Sequence, residues 1–102
     1  MKQFKDYLDS IEYPKSKTSW HIAGVIKGKN GFYKFDTKPL KNNIKAGSFK
    51  TKADKIVYDL NDQYIIVDTE ELHQYLKEKK LKKVVLEELI SALDWNIILP
   101  KI

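Results

Sequence analysis

The stretch from residue 47 to residue 76 constrains the fold of this 102-residue chain most, because its structural signals follow one another without interruption. Segments 56–60 and 64–67 are rich in β-branched and aromatic residues, and the pair Asn61-Asp62 between them is typical of a tight turn. Two such segments joined by a short polar turn predict a β-hairpin.

A capped helix is predicted to follow this hairpin directly. Asp68 and Glu71 have the spacing of a capping box, in which side chains satisfy free amide groups at a helix start. The apolar stripe of this helix, predicted over residues 69–80, consists of Leu72, Tyr75 and Leu76. His73 lies off the stripe, so we expect it to be exposed.

The rest of the chain predicts two more helices, another hairpin and a terminal strand. Apolar residues at i, i+3, i+4 and i+7 indicate an N-terminal helix containing Phe4, Tyr7, Leu8 and Ile11. Segments 20–26 and 32–37 alternate in polarity around the turn signal Asn30-Gly31, which predicts a hairpin. A second C-terminal helix is predicted to be buried through Val85, Leu86, Leu89, Ile90 and Leu93. Residues 95–99 read as a short strand or apolar tail.

These elements predict an α+β (mixed α/β) fold in a single domain, residues 1–102. We expect a central sheet of about four or five strands built from two β-hairpins. An N-terminal helix and two C-terminal helices should flank it. A chain of this length supports one modest hydrophobic core.

Composition excludes several classes of protein. The chain has no cysteine, so it forms neither disulfides nor thiolate metal sites. No apolar run reaches the ~18 residues of a transmembrane helix, and from the first residues we expect no signal peptide. We therefore expect a soluble, cytoplasmic protein with no membrane partner.

Positive charge is concentrated in one part of the chain. All 19 cationic residues are lysines, and residues 15–55 carry eleven of them against two acids, whereas residues 56–102 have a net charge of −3. Such segregation favours a polyanionic partner, so we predict nucleic-acid contacts by Lys27, Lys29, Lys34, Lys41, Lys45, Lys50 and Lys52. Lysine is a point charge without the planar fork of arginine, so phosphate contacts should dominate and binding should weaken steeply with salt. An AT-rich genome would explain the missing arginine, but not the clustering.

A family resemblance rests on two sequence blocks. Asp36-Thr37-Lys38 places an acid and a lysine two positions apart, on one face of a predicted strand. The second block runs Gly-Ser-Phe-Lys-Thr-Lys-Ala-Asp from residue 47 to 54, before the hairpin and capped helix. This order resembles the second half of the restriction-endonuclease-like, or PD-(D/E)XK, nuclease core of small phage and resolvase-type enzymes. It covers residues 47–76 firmly and residues 31–46 loosely.

The resemblance implies a Mg²⁺-dependent deoxyribonuclease of phage or mobile-element origin, with DNA preferred over RNA. Asp36 and Lys38 would be catalytic, and Asp36 would bind Mg²⁺ together with Glu12 and His21. The lysine would stabilise the charge that builds on the scissile phosphate. The window 16–26, where the family has its first acid, contains none and offers only His21. The resemblance also implies a homodimer, because small resolvase-like enzymes usually cut as pairs.

Other interpretations of the same residues stay open. Asp36 is alternatively a solvated carboxylate that pairs with Lys34 or Lys38. The protein is alternatively a non-catalytic basic binding module, or a regulator such as a phage inhibitor of a host or defence enzyme. Such a regulator would meet its host protein partner through the acidic C-terminal half or an exposed sheet edge. Three aromatic residues are candidates for base stacking, although a small core needs most of its aromatics: Trp20, Phe32 and Trp95.

Overall fold

The computed structural model describes residues 2–40, 45–47 and 50–101 and consists mainly of a curled six-stranded sheet. In chain order the strands are β1 Leu8–Glu12, β2 Ile22–Ile26, β3 Phe32–Pro39, β4 Lys45–Gly47, β5 Lys55–Asp59, β6 Gln63–Asp68, β7 Lys83–Val85 and β8 Asn96–Pro100. The helices are α1 Thr69–Lys79 and α2 Leu86–Ala92. The large sheet has the order β1-β2-β3-β5-β6-β8, and β4 pairs separately with β7.

A parallel strand pair joins the two predicted hairpins into one sheet. Strands β2 and β3 are antiparallel, as are β5 and β6, which confirms both hairpins. Strands β3 and β5 instead run parallel, with Asp36 beside Ile56 and Lys38 beside Tyr58. Parallel neighbours need a long crossover connection, and here it spans residues 40–54 and includes β4.

The N-terminal segment is not the predicted helix. Phe4–Tyr7 forms one 3₁₀ turn, after which the chain continues as β1 and pairs antiparallel with β2. Phe4 and Leu8 are buried, whereas Ile11 is exposed. The apolar spacing was misleading because Phe4 in the 3₁₀ turn and Leu8 at the start of β1 pack into the same core, as residues four apart on a helix also would. The predicted N-terminal helix and sheet of four or five strands are therefore wrong, since six strands form the sheet.

Helix α1 begins where it was predicted to begin. Asp68 Oδ2 accepts a hydrogen bond from the Glu71 amide at 3.0 Å, which caps the helix. The two carboxylate oxygens of Glu71 accept hydrogen bonds from the amides of Asp94 and Trp95, each at 3.0 Å. Glu71 therefore ties the start of α1 to the turn that leads into β8.

The C-terminal part differs from the prediction in one element. Helix α2 begins at Leu86 because the residues before it form β7 and pair with β4. The predicted terminal strand is present as β8, which pairs antiparallel with β6. Among the described residues, neither helix combines the length and apolarity needed to cross a membrane.

The sheet packs a hydrophobic core on each face. On the inner face the Phe4 ring contacts the edges of the Phe35 and Tyr64 rings, with centroids 5.1 and 5.5 Å away. The inner core consists of Phe4, Leu8, Ile22, Ile26, Phe35, Val57, Tyr64 and Ile66. On the outer face, α1, α2 and β7 contribute to a second core, which consists of Ile56, Tyr58, Ile65, Val67, Leu72, Leu76, Val84, Leu86, Leu89 and Leu93.

Candidate nucleic-acid interface

The structure brings together three residues that the sequence analysis assigned to catalysis and metal binding. Asp36 lies on β3 beside Ile56 of β5, so its side chain is on the outer face. The His21 amide donates a hydrogen bond to the Phe35 carbonyl at 2.8 Å, which brings His21 next to Asp36. His21 Nδ1 lies 3.2 Å from Asp36 Oδ1, and Lys38 Nζ lies 3.6 Å from Asp36 Oδ2. We call His21, Asp36 and Lys38 the Asp36 cluster.

The carboxylate of this cluster is enclosed. The Asp36 side chain is 1% exposed, whereas the side chains of His21 and Lys38 are 57% and 33% exposed. The alternative of a solvated Asp36 is therefore wrong, although its pairing with Lys38 is observed. Within the described part of the chain, neither Asp36 oxygen accepts a hydrogen bond. Burying a carboxylate that accepts no hydrogen bond costs free energy. The positive charge of Lys38, which lies nearby, offsets part of that cost.

The backbone fixes the imidazole of His21. Its Nδ1 accepts a hydrogen bond from the Thr37 amide at 3.1 Å. A neutral imidazole has one donor and one acceptor nitrogen, so this bond places the ring proton on Nε2. Nδ1 and Asp36 Oδ1 then face each other as two acceptors, which repel unless a proton or cation lies between them. The space between His21 Nδ1 and Asp36 Oδ1 therefore attracts a proton or another cation and repels an anion.

The donor atoms of this region fit a magnesium ion poorly. Among the described residues, no group of three or more His, Asp or Glu side chains is arranged to hold a metal ion, and the undescribed positions contain none of these types. Glu12, the third predicted ligand, lies on β1 opposite Ala23. Mg²⁺ prefers octahedral oxygen coordination, whereas Asp36 and His21 supply one carboxylate and one imidazole.

A cleft opens on the outer face near the Asp36 cluster, between the end of β1 and the start of β3. Its volume is about 230 Å³, and its lining consists of Glu12, Tyr13, Pro14, Lys15, Trp20, Ala23, Phe32 and Lys34. Tyr13 is 61% exposed and Phe32 is 45% exposed. Lys34 Nζ lies 5.5 Å from the centroid of the Trp20 ring. We call this feature the aromatic cleft.

Exposed lysines lie at the aromatic cleft, since Lys15 and Lys34 are part of its lining. The structure describes five of the predicted nucleic-acid contacts, and all five are exposed: Lys27, Lys29, Lys34, Lys50 and Lys52. The Lys52 amide donates to the Ser19 hydroxyl at 2.7 Å, which brings the segment before β5 next to the segment before β2. The predicted contacts Lys41 and Lys45 lie outside the described side chains.

Sequence analysis missed three residues of this surface. Tyr13 and Lys15 line the aromatic cleft, and Lys17 is exposed on the same connector. In the sequence, the only indication of a binding surface here was that one aromatic residue and two lysines lie in a connector that contains proline. That signal does not reveal which strand the connector packs against.

One lysine of the lysine-rich segment 15–55 has a buried side chain. Lys55 is buried, with Nζ 2.7 Å from Asp68 Oδ1 and 3.8 Å from the centroid of the Trp95 ring. Burial by itself raises the pKa of Asp68, but hydrogen bonds from Lys55 and from the Glu71 amide hold that pKa below its ordinary value. Trp95, a predicted candidate for base stacking, therefore packs against an internal ion pair.

The acidic C-terminal half has a groove of its own. Its volume is about 540 Å³, and its lining consists of Asp68, Glu70, Glu71, Gln74, Tyr75, Glu78, Ala92 and Leu93. Two of these carboxylates already serve the fold, because Asp68 caps α1 and Glu71 binds two backbone amides. Negative charge makes this groove unsuitable for a polyanion.

Comparison with protein-family models, curated proteins and solved structures found no match to the chain. The resemblance to the nuclease superfamily therefore stays a prediction from the sequence, as does the homodimer that it implies.

Proposed function

We propose that this protein binds nucleic acid on the outer face of β1, β2 and β3. The observation that carries the proposal is the pair of exposed lysines in the lining of the aromatic cleft, Lys15 and Lys34, with the Lys52 amide bonded to Ser19 next to Trp20. Lysine ammonium groups bind phosphate oxygens and release condensed counterions. The acidic groove belongs to the C-terminal half, whereas the lining of the aromatic cleft contains two lysines, Lys15 and Lys34, and one carboxylate, Glu12.

Phosphate contacts should supply most of the affinity. The chain has no arginine, so it lacks the rigid planar fork that matches guanine best in the major groove. Five lysine contacts to single-stranded DNA would give a slope of about −3.5 in a plot of log K against log salt concentration. Affinity should depend little on sequence as a result.

The proposed activity is the binding of nucleic acid without its metal-dependent cleavage. The proposed location is the cytoplasm. Asp36 is the only carboxylate in its cluster, and the Lys38 ammonium lies beside it. Because the two charges offset each other, the pair offers a phosphate no net positive charge. One carboxylate beside an ammonium group also does not hold the metal ion on which a PD-(D/E)XK enzyme depends.

Charge-reversal variants test this proposal. We expect Lys50→Glu with Lys52→Glu to weaken the binding of a fluorescein-labelled oligonucleotide at least 10-fold, measured by anisotropy at two salt concentrations. The salt slope should also become shallower by about 1.4, because two phosphate contacts are lost. The matched control is Lys77→Glu with Lys79→Glu, which changes net charge equally on the exposed end of α1.

Two outcomes contradict the proposal. Equal weakening by the two double variants would mean that net charge alone, and not this surface, attracts the oligonucleotide. Affinity that does not change with salt would show that the lysines make no phosphate contacts.

A further inference from the structure

The aromatic cleft has the composition of a site for a flat heterocycle. Single exposed apolar residues are common on proteins, but here Tyr13 and Phe32, both strongly exposed, line the same cleft. Trp20 completes an aromatic lining, and Lys34 lies over its ring. The volume of about 230 Å³ is below the usual range of drug-sized ligand pockets, which suits one small planar group.

The charges of the cleft discriminate between the parts of a nucleotide. Glu12 contributes a carboxylate to the lining, which repels a phosphate but accepts hydrogen bonds from ring or exocyclic N–H groups. Lys15 and Lys34 line the same cleft and attract phosphates. Together the three residues favour a base inside the cleft with its flanking phosphates on the lysines.

We propose that the aromatic cleft binds one unpaired nucleobase, so that the protein prefers single-stranded to double-stranded nucleic acid. This inference rests on the proposed function, since the lysines bring the strand to the cleft. A base within a duplex is stacked on both sides and does not present its face, whereas a base in a single strand does. Stacking on aromatic side chains tolerates every base, in keeping with weak sequence preference.

A comparison of two oligonucleotides separates this inference from the proposed function. One is a single-stranded DNA with all its bases, and the other is an abasic deoxyribose-phosphate chain of the same length and charge. We expect the base-containing strand to bind roughly 5- to 150-fold more tightly, the range expected for stacking one base. Both strands should show the same salt slope, because their phosphates are identical.

Variants of the cleft should remove only the advantage of the bases. Phe32→Leu and Tyr13→Leu should lower affinity for the base-containing strand toward that of the abasic chain, and leave abasic binding unchanged. Both residues are exposed, so the fold should tolerate the changes. Ile98→Ala on β8 is the matched control, since it removes a similarly exposed apolar side chain far along the sheet from the cleft.

A measurement on the unmodified protein supports the same test. Deoxyadenosine monophosphate should shift the NMR signals of the Tyr13, Trp20 and Phe32 rings, and deoxyribose 5-phosphate should not. Equal affinity for both oligonucleotides, with no ring shifts, would overturn the cleft assignment and leave the proposed function intact. Failure of both oligonucleotides to bind would reject the proposed function as well.

Discussion

His21 and Asp36 face each other across the outer face of the sheet, with Nδ1 3.2 Å from Oδ1. The same Nδ1 accepts the Thr37 amide, so two acceptor atoms meet beside an enclosed carboxylate. Among the side chains that the structure describes, Asp36 and Lys55 are the buried charged ones. Substitution of Asp36 therefore tests whether its buried charge raises or lowers the free energy of unfolding.

Asp36→Asn should raise the free energy of unfolding by about 1 kcal/mol. The change removes the cost of burying a charge and the repulsion between Nδ1 and Oδ1, which together exceed the attraction of a partly exposed Lys38. Urea unfolding at pH 7 measures the effect. Asp62→Asn in the exposed turn before β6 is the control and should change stability by less than about 0.5 kcal/mol. A loss of stability at Asp36 would instead show that its charge is strongly paired.

Asp68→Asn should lower the free energy of unfolding by about 2 kcal/mol at neutral pH. Asparagine still caps α1, so the loss isolates the ion pair with buried Lys55. The pKa of Asp68 is lowered in the folded state, so its contribution is complete above the ordinary value of 3.8 and declines as pH falls through the lower folded pKa. The difference between variant and wild type should therefore shrink in acid. A difference that is constant from pH 7 to strongly acidic pH would contradict the prediction.

Glu71→Ala should destabilise the protein by about 2 kcal/mol, because the amides of Asp94 and Trp95 lose their acceptors. Hydrogen exchange should show faster exchange at those two amides than in wild type. Glu70→Ala is the matched control, since Glu70 is also in the first turn of α1 but exposed. Equal effects of the two variants would mean that Glu71 acts only through the helix dipole.

Magnesium should leave the thermal unfolding midpoint unchanged. A ligand that binds only the folded state stabilises it in proportion to the logarithm of its concentration over Kd, so a real site would raise the midpoint at about 10 mM Mg²⁺. The Asp36 cluster lacks the carboxylates for such a site. Differential scanning fluorimetry measures the midpoint, and Ca²⁺ provides the control ion. A rise of several degrees with Mg²⁺, removed by Asp36→Ala, would restore the metal-dependent nuclease.

Local signals explain which elements were predicted correctly. The β2–β3 and β5–β6 hairpins have alternating polarity and a turn between their strands, and α1 has its cap and its apolar stripe within a few residues. His73 shows the limit of such signals, because it was expected to be exposed but is half-buried, with Nε2 enclosed. Which segments pack over a helix face depends on the tertiary structure and not on residues nearby in the sequence.

The sequence by itself determined the hairpins, the capped helix and the concentration of lysine between residues 15 and 55. The tertiary structure decided that Phe4 to Ile11 becomes a turn and a strand, and that β3 pairs in parallel with β5. It also enclosed Asp36, turned Lys55 inward and placed Tyr13 and Trp20 beside Phe32. The physical reason is that hairpins and caps form between near neighbours in the chain, whereas burial, parallel pairing and cleft formation depend on segments that meet only after folding.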